Sequence, residues 1–211
     1  MHSRRIAPEA KEPFMSDCAN FSMWTPGKDL VPNKNHTMVK EAISIHSLDV
    51  EVDLVEVFQL LRKLFTNDII KAHPPFESLK KSYTTILASG IATIDLVYGN
   101  HKLLFLVEAF QALKYDTGSL LAQEGDFCLQ FLFDEEALGG TILFEKGLST
   151  ILAHYFRERK MKRVMVDVAY SLNVPLLPLL ITAGFKPTYQ TTETRKIFYW
   201  CTWDSWQPFI Y

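Results

Sequence analysis

The stretch that decides the fold runs from Arg163 to Tyr189 and reads RVMVDVAYSLNVPLLPLLITAGFKPTY. It opens with a β-rich run, Val164 to Val168, which is typical of a buried strand. An apolar segment, Pro175 to Ala183, follows, and its leading proline suits the first turn of a helix, where the missing N–H costs little. Gly184 suits the position just past a helix, where φ is positive, and Phe185 begins a new extended run. The sequence therefore predicts a strand, a short helix and a second strand.

This stretch resembles the GNAT-type N-acetyltransferases, which carry an Asn, a short helix and then Gly-Phe after their fifth strand. Asn173, Gly184 and Phe185 fall at that spacing. The resemblance extends over Asp126 to Trp203 and is only topological before that. It implies an α/β fold: a GNAT-like mixed, twisted central sheet of about six or seven strands with helices on both faces.

Composition bounds the class of protein. The chain has 211 residues, of which 48% are hydrophobic and 22% charged, as in a globular protein with a sizeable core. Proline and glycine punctuate the first part of the sequence, so we expect an irregular N-terminal arm over residues 1–38. Residues 39–211 are then expected to form a single acyltransferase-fold domain.

Charge and cysteine usage bound the partners and the location. The net charge of −2 gives no global basic field, so we expect no nucleic acid partner. No apolar run is long enough to span a membrane, and the N-terminus lacks the apolar core of a secretory signal. Three widely spaced cysteines, Cys18, Cys128 and Cys201, predict a reducing compartment with thiols in or near the core. We therefore expect a cytoplasmic protein that reaches the nucleus, if at all, by diffusion.

The remaining elements follow from periodicity and turn residues. Asp49 or Asp53 is a candidate cap for the first helix. The predicted elements are a strand at Val39–Ile45, a helix beginning near Leu54, a short helix at Phe76–Tyr83, a hairpin of Ile91–Tyr98 and Lys102–Val107, a strand at Asp126–Phe133, a helix at Phe144–Lys160 and a strand at Ile197–Trp203.

The resemblance implies a pyrophosphate loop at the start of the helix that follows Asp126–Phe133. Backbone N–H groups at a helix N-terminus bind phosphates, and the helix dipole favours their charge. The family pattern of Gln or Arg, Gly, and Gly or Ala falls on Phe144, Gly147 and Ser149, so only the glycine matches outright. The acetyl-CoA residues that the resemblance implies are Phe133, Lys146, Gly147, Leu148, Ser149 and Asn173. Asn173 has a second interpretation, as a helix cap.

The catalytic residues stay open at this point. The tyrosine that protonates the leaving thiolate in many GNAT enzymes is replaced by Leu180, and the alternatives are Tyr170, Tyr189 or Cys201. Glu108 is either a general base or a solvated charge at a strand end. The acidic run Asp134-Glu135-Glu136, followed by Gly139-Gly140, either binds a basic substrate or a metal, or is a solvated loop. We find no motif for a metal site.

Two functions from different classes fit the sequence. One is an acyl-CoA-dependent N-acyltransferase that uses acetyl-CoA or a longer acyl-CoA and acts on a small-molecule or protein amine. The other is a catalytically inactive GNAT-fold protein that binds another protein, as the ornithine decarboxylase antizymes do. The C-terminal aromatic tail is then either core or an interaction surface for that partner: Trp203, Trp206, Phe209 and Tyr211.

Overall fold

The computed structural model describes residues 42–66, 74–114, 122–134, 142–167, 175–189 and 197–209. The predicted N-terminal arm lies outside these ranges. The described strands are β1 Ile43–Ser47, β2 Ala92–Gly99, β3 Lys102–Gln111, β4 Asp126–Phe133, β5 Arg163–Asp167, β6 Lys186–Tyr189 and β7 Ile197–Thr202. The described helices are α1 Leu54–Thr66, α2 Phe76–Ser89, α3 Ile142–Arg157 and α4 Leu177–Thr182.

The strands form one seven-stranded sheet in the order β1-β2-β3-β4-β5-β7-β6. β4 and β5 are parallel, and the other neighbours are antiparallel. A parallel pair needs a long crossover between its strands. Helix α3 lies in that crossover, between β4 and β5 in the chain. The mixed sheet predicted from the sequence is therefore confirmed.

Each face of the sheet carries its own hydrophobic core. One core joins α3 and α4 to the sheet through residues such as Phe131, Leu148 and Leu180. The other joins α1 and α2 to the opposite face through residues such as Val57, Tyr83, Leu106 and Leu132. The alternation along β4 produces this division, since successive side chains of a strand point to opposite faces. Helices therefore cover both faces, as predicted.

Several elements differ in extent from the prediction. β1 ends at Ser47, two residues later than expected, and its predicted start lies outside the described residues. α2 continues to Ser89, where Gly90 ends it with a φ of 63°. β3 continues through Ala109, a residue that the sequence left ambiguous, because pairing with β2 persists to the end of that strand. The carboxylate of Asp53, a candidate cap for α1, accepts the backbone N–H of Asp49 at 2.8 Å.

Both described cysteines are free thiols in the core, as expected. Cys128 lies on β4 and Cys201 on β7, and both are buried. In the part of the chain that the structure describes, no helix is long and apolar enough to cross a membrane.

The aromatic residues after β7 are divided between core and surface. Trp206 and Phe209 pack against the α3–α4 core. Trp203 is 46% exposed, and the Arg157 guanidinium lies 5.1 Å from its ring centroid. Tyr211 lies outside the described residues. The tail is thus mainly packed, with one exposed ring at its start.

Gly184 ends the α4 segment in the conformation that the sequence predicts. Its φ is +93°, and a Cβ built there would lie 1.9 Å from the backbone oxygen of Ser205. Only glycine tolerates that φ without strain. The close approach brings the segment after β7 directly against the end of α4.

We expect Gly184→Ala to lower the free energy of unfolding by about 3 kcal/mol, because backbone strain adds to a clash that a flexible side chain cannot relieve. Urea unfolding measures the loss. Gly90→Ala is the matched control: its φ is +63°, and its Cβ meets nothing within 4 Å. Equal losses at the two positions would show that the contact with Ser205 is unimportant.

Candidate functional site

At one end of the parallel pair an ion pair joins β4 to β5, and at the other end the described pairing of the two strands stops. The carboxylate of Asp126 forms an ion pair with the guanidinium of Arg163, directly across from it, and that guanidinium also lies 4.4 Å from the ring centroid of Trp200. Pairing continues to Leu129 and Val166. β4 then runs on to Phe133, whereas β5 ends at Asp167. The described pairing of β4 with β5 thus covers Asp126 to Leu129, and we call the region beside the last four residues of β4 the cleft.

Polar side chains of three neighbouring strands lie at the level where the cleft begins. Glu108 of β3 is directly opposite Gln130 of β4, and Asp167 of β5 follows the last pair. All three are partly exposed on the face that carries α1 and α2. Their neighbours two residues earlier in each strand are buried: Leu106, Cys128 and Met165. Solvent therefore reaches these three polar side chains on this face, and we call them together the polar crevice.

Glu108 has the contacts of a proton acceptor. The hydroxyl of Tyr83, on α2, donates a hydrogen bond to Glu108 Oε1 at 2.8 Å. Burial raises the pKa of the Glu108 carboxyl above its ordinary value of 4.5, and the hydrogen bond from Tyr83 opposes that rise. A carboxylate with a raised pKa, at the edge of a cleft, is a candidate general base.

The N-terminus of α3 supplies the other chemically active part of the cleft. Strand β4 leads into this helix, which begins at Ile142, a residue that is 51% exposed. The first four N–H groups of a helix have no intrahelical partner, and the dipole makes that end positive. Of the described residues, Ile142 to Glu145 lie nearest this end of the helix.

The residues predicted to form the phosphate loop lie further along this helix. Phe144 is buried, and Gly147 faces the sheet, where a Cβ would lie 3.0 Å from Phe105 and 3.1 Å from Val97. Gly147 therefore permits close packing of helix on sheet, and its role in binding phosphate stays a prediction. Leu148 is also fully buried, so its side chain packs in the core, and binding of phosphate through its backbone stays a prediction.

The other predicted cofactor residues lie at the end of β4, inside α3 or outside the described residues. Phe133 ends β4 but is only 3% exposed, and its ring packs edge-on against Phe144 at 5.6 Å. Lys146 and Ser149 are partly exposed, inside α3 rather than before it. Asn173 lies outside the described residues.

Two of the candidate proton donors, Cys201 and Tyr189, lie in described strands, and Leu180 lies in a described helix. Leu180, at the position of the tyrosine acid in many GNAT enzymes, is fully buried in the α3–α4 core and is a packing residue. Cys201 is also buried, and burial raises the pKa of its thiol to about 11, so it is a poor acid at neutral pH. Tyr189 ends β6, at the edge of the sheet beyond β7. Tyr170 lies outside the described residues.

Of the predicted acidic run, Asp134 is described, and it lies just past β4. Its carboxylate is 3.3 Å from the ammonium of Lys63 on α1. Glu135 and Glu136 lie outside the described residues. In the described part of the chain, no group of three histidine, cysteine or acidic residues is arranged to hold a metal ion.

No family model and no curated protein matches the sequence. Solved structures do match. An uncharacterized protein from Bacillus halodurans is 18% identical with a TM-score of 0.64, over 79% of this chain and 87% of that one. An aminoglycoside acetyltransferase in complex with coenzyme A and kanamycin is 15% identical with a TM-score of 0.62, over 78% and 96% of the two chains. The spermidine N-acetyltransferase SpeG of Vibrio cholerae, as a mutant, is 14% identical with a TM-score of 0.57, over 76% and 93%.

These structures establish the class of fold. The chain has the GNAT-type N-acetyltransferase fold, a mixed seven-stranded sheet with helices on both faces. The resemblance read from residues 126–203 is thereby confirmed at the level of the fold.

Proposed function

We propose that residues 39–211 form an acyl-CoA-dependent N-acyltransferase that transfers an acetyl group to an amine. The observation that carries the proposal is the cleft between β4 and β5, with a polar crevice on one side and a helix N-terminus at its end. The structural similarity to an aminoglycoside acetyltransferase bound to coenzyme A supports it. The predicted cytosolic location is compatible with acyl-CoA chemistry and stays a prediction.

Each part of the cleft suits one part of the donor. In this proposal, the amide-bearing arm of acyl-CoA lies along the end of β4 after Leu129, the last residue described as paired with β5. The N–H groups that begin α3, at Ile142, suit the pyrophosphate. Binding along both would place the thioester where β4 and β5 part, next to the crevice that holds Glu108.

The reaction then requires one proton acceptor. A neutral amine forms a C–N bond to the thioester carbonyl carbon, and the C–S bond breaks. Glu108 takes the proton that the nitrogen loses. The thiolate takes a proton from solvent, which is adequate without a dedicated acid because a thiol has a pKa of about 8.5. Leu180 in place of a tyrosine is therefore compatible with turnover.

The apolar side of the cleft favours a short acyl group. On the face that carries α3, the side chains along the parting strands are buried almost completely: Leu129, Phe131, Phe133 and Val166. β4 and β5 are paired at Leu129 and Val166, which closes the cleft there. A close-packed interior has no space for additional methylene groups without rearrangement. Acetyl-CoA therefore fits better than a long-chain acyl-CoA.

The second candidate function is protein binding without catalysis. Two observations favour it: Leu180 is a buried packing residue, and Trp203 is an exposed aromatic ring. Exposed aromatic side chains are common anchors of protein interfaces. Binding of acetyl-CoA distinguishes the two functions, since only the enzyme requires it.

We expect Ile142→Glu to weaken acetyl-CoA binding about tenfold, because it places a negative charge beside the N–H groups that would meet the pyrophosphate. The helix itself tolerates the change, since Ile142 is exposed and an acidic residue suits a helix N-terminus. In the control Ile142→Gln, the new side chain has the shape of glutamate but no charge. This variant should bind acetyl-CoA with an affinity within about twofold of the wild type.

Calorimetric titration with acetyl-CoA and longer acyl-CoAs measures the affinities, and thermal unfolding confirms that each variant is folded. No binding to the wild-type protein at millimolar ligand would overturn the enzyme proposal and lead to a search for a protein partner. Equal affinities for Ile142→Glu and Ile142→Gln would place the pyrophosphate elsewhere.

A further inference from the structure

We propose that Tyr83 is the positioning residue for Glu108: its hydroxyl fixes the Glu108 carboxylate and keeps it ready to take the amine proton. This inference rests on the proposed function and assigns a role on α2, outside the strands that form the cleft. The family pattern applied to the sequence gave Tyr83 no role.

The geometry holds both partners of the hydrogen bond in place. Tyr83 is only 4% exposed and packs in the α1–α2 core, so its ring cannot rotate away. Glu108 is fixed by its strand, with Ile94 of β2 on one side and Gln130 of β4 on the other. The bond from Tyr83 occupies Oε1 at 2.8 Å, and it leaves Oε2 to accept a proton.

Among the described groups that surround Glu108, Tyr83 is the one that favours the ionised form of its carboxylate. β2 presents Ile94 and β4 presents the uncharged Gln130 beside Glu108. The buried residues of α1 are leucine and valine. Burial raises the pKa of Glu108 and so opposes its ionisation. A hydroxyl that donates to a carboxylate stabilises the ionised form, because charge-assisted hydrogen bonds are the stronger ones.

The same bond assists the return of the base after each turnover. Once Glu108 has accepted the amine proton, the carboxyl is neutral, and the hydrogen bond from Tyr83 to it is weaker. Loss of the proton to solvent restores the stronger bond. Tyr83 therefore favours the form of Glu108 that the next reaction needs, without touching the substrate.

The experiment compares Tyr83→Phe with the wild type in kcat/KM for acetyl transfer across pH. Phenylalanine fills the same space and removes only the hydroxyl. We expect the acid limb of the profile to move to higher pH, with kcat/KM about tenfold lower on that limb and within about threefold on the alkaline plateau. A purely structural role would lower the whole profile evenly, and that result would overturn the proposal.

Tyr98→Phe is the matched control. Tyr98 also donates a hydrogen bond to a glutamate, Glu56, at 2.7 Å, but that pair lies between β2 and α1 at the protein surface. Its loss should leave the pH profile unchanged. A shift as large in Tyr98→Phe as in Tyr83→Phe would show that the effect is not specific to Glu108.

A second measurement does not depend on activity. Carbon-13 NMR of labelled glutamate carboxyls gives the titration of Glu108, whose signal is identified by its absence in Glu108→Gln. The midpoint should be higher in Tyr83→Phe than in the wild type, and an unchanged midpoint would overturn the proposed role. If the wild type binds no acetyl-CoA and acetylates no amine, the proposed function fails, and this titration still decides whether Tyr83 controls Glu108.

Discussion

Glu108→Gln is expected to lower kcat/KM for acetyl transfer by about 10²- to 10⁴-fold, the range for removal of a positioned general base. Glutamine has nearly the same shape and still accepts the Tyr83 hydroxyl through its amide oxygen. The substrate sites therefore stay intact, and acetyl-CoA should bind with wild-type affinity. Initial rates of thiol release with acetyl-CoA and a panel of primary amines provide the measurement.

Although Glu108→Gln should lower activity, it should raise the free energy of unfolding at neutral pH. The folded pKa of Glu108 is raised by burial above its ordinary value of 4.5. The folded state then binds the proton more tightly than the unfolded state, so stability falls as pH rises from about 4.5 through the folded pKa. Above that range the loss stays constant. Glutamine has no such loss, so the variant should be more stable than the wild type at neutral pH.

Glu158→Gln is the control for both effects. Glu158 is exposed and lies just past α3, away from the cleft, so neither activity nor the pH dependence of stability should change. A Glu108→Gln variant that keeps activity within about threefold of the wild type would exclude Glu108 as the base. A variant that loses both activity and stability would indicate a structural role for the carboxyl instead.

Local sequence signals predicted much of the fold. The bounds of β4 agree with the prediction at both ends, because alternating apolar residues stand between clear turn residues. Gly184 was correctly predicted to lie just past a helix with a positive φ, because its neighbours in the sequence are not helix terminators. The described part of α3 begins at Ile142, two residues before the predicted start at Phe144. Gly147 matches a family spacing, yet glycine serves close packing as well as phosphate binding, so the sequence alone does not separate these two roles.

The chemistry of the site depends on contacts that no local pattern contains. Glu108 was expected near the end of its strand, but β3 continues to Gln111, which places Glu108 among buried neighbours. Its partner Tyr83 is 25 positions away in the sequence and on a helix predicted to stop at that residue. The cleft itself depends on where the pairing between β4 and β5 ends. That end point is a property of the assembled sheet, and a single sequence does not show it.

Helix α3 is fixed at its far end by a buried ion pair that the sequence did not reveal. Asp95 of β2 is 0% exposed, and its carboxylate accepts hydrogen bonds from Arg159 at 2.6 Å, Tyr155 at 3.0 Å and Ser47 at 3.1 Å. These contacts join β1, β2, α3 and the segment after α3. A buried carboxylate needs such partners, because removing one leaves an uncompensated charge in a medium of low dielectric constant.

Arg159→Met is therefore expected to lower the free energy of unfolding by about 3 kcal/mol, since it leaves Asp95 buried with two neutral donors. Urea unfolding without ligand measures the loss. Arg62→Met, at an exposed position of α1, should change stability by less than about 0.5 kcal/mol. The double variant Arg159→Met with Asp95→Asn provides the decisive comparison. Asparagine still accepts the Tyr155 hydroxyl and carries no charge, so the double variant should be more stable than Arg159→Met alone. Additive losses would show that the charge of Asp95 is not the cause.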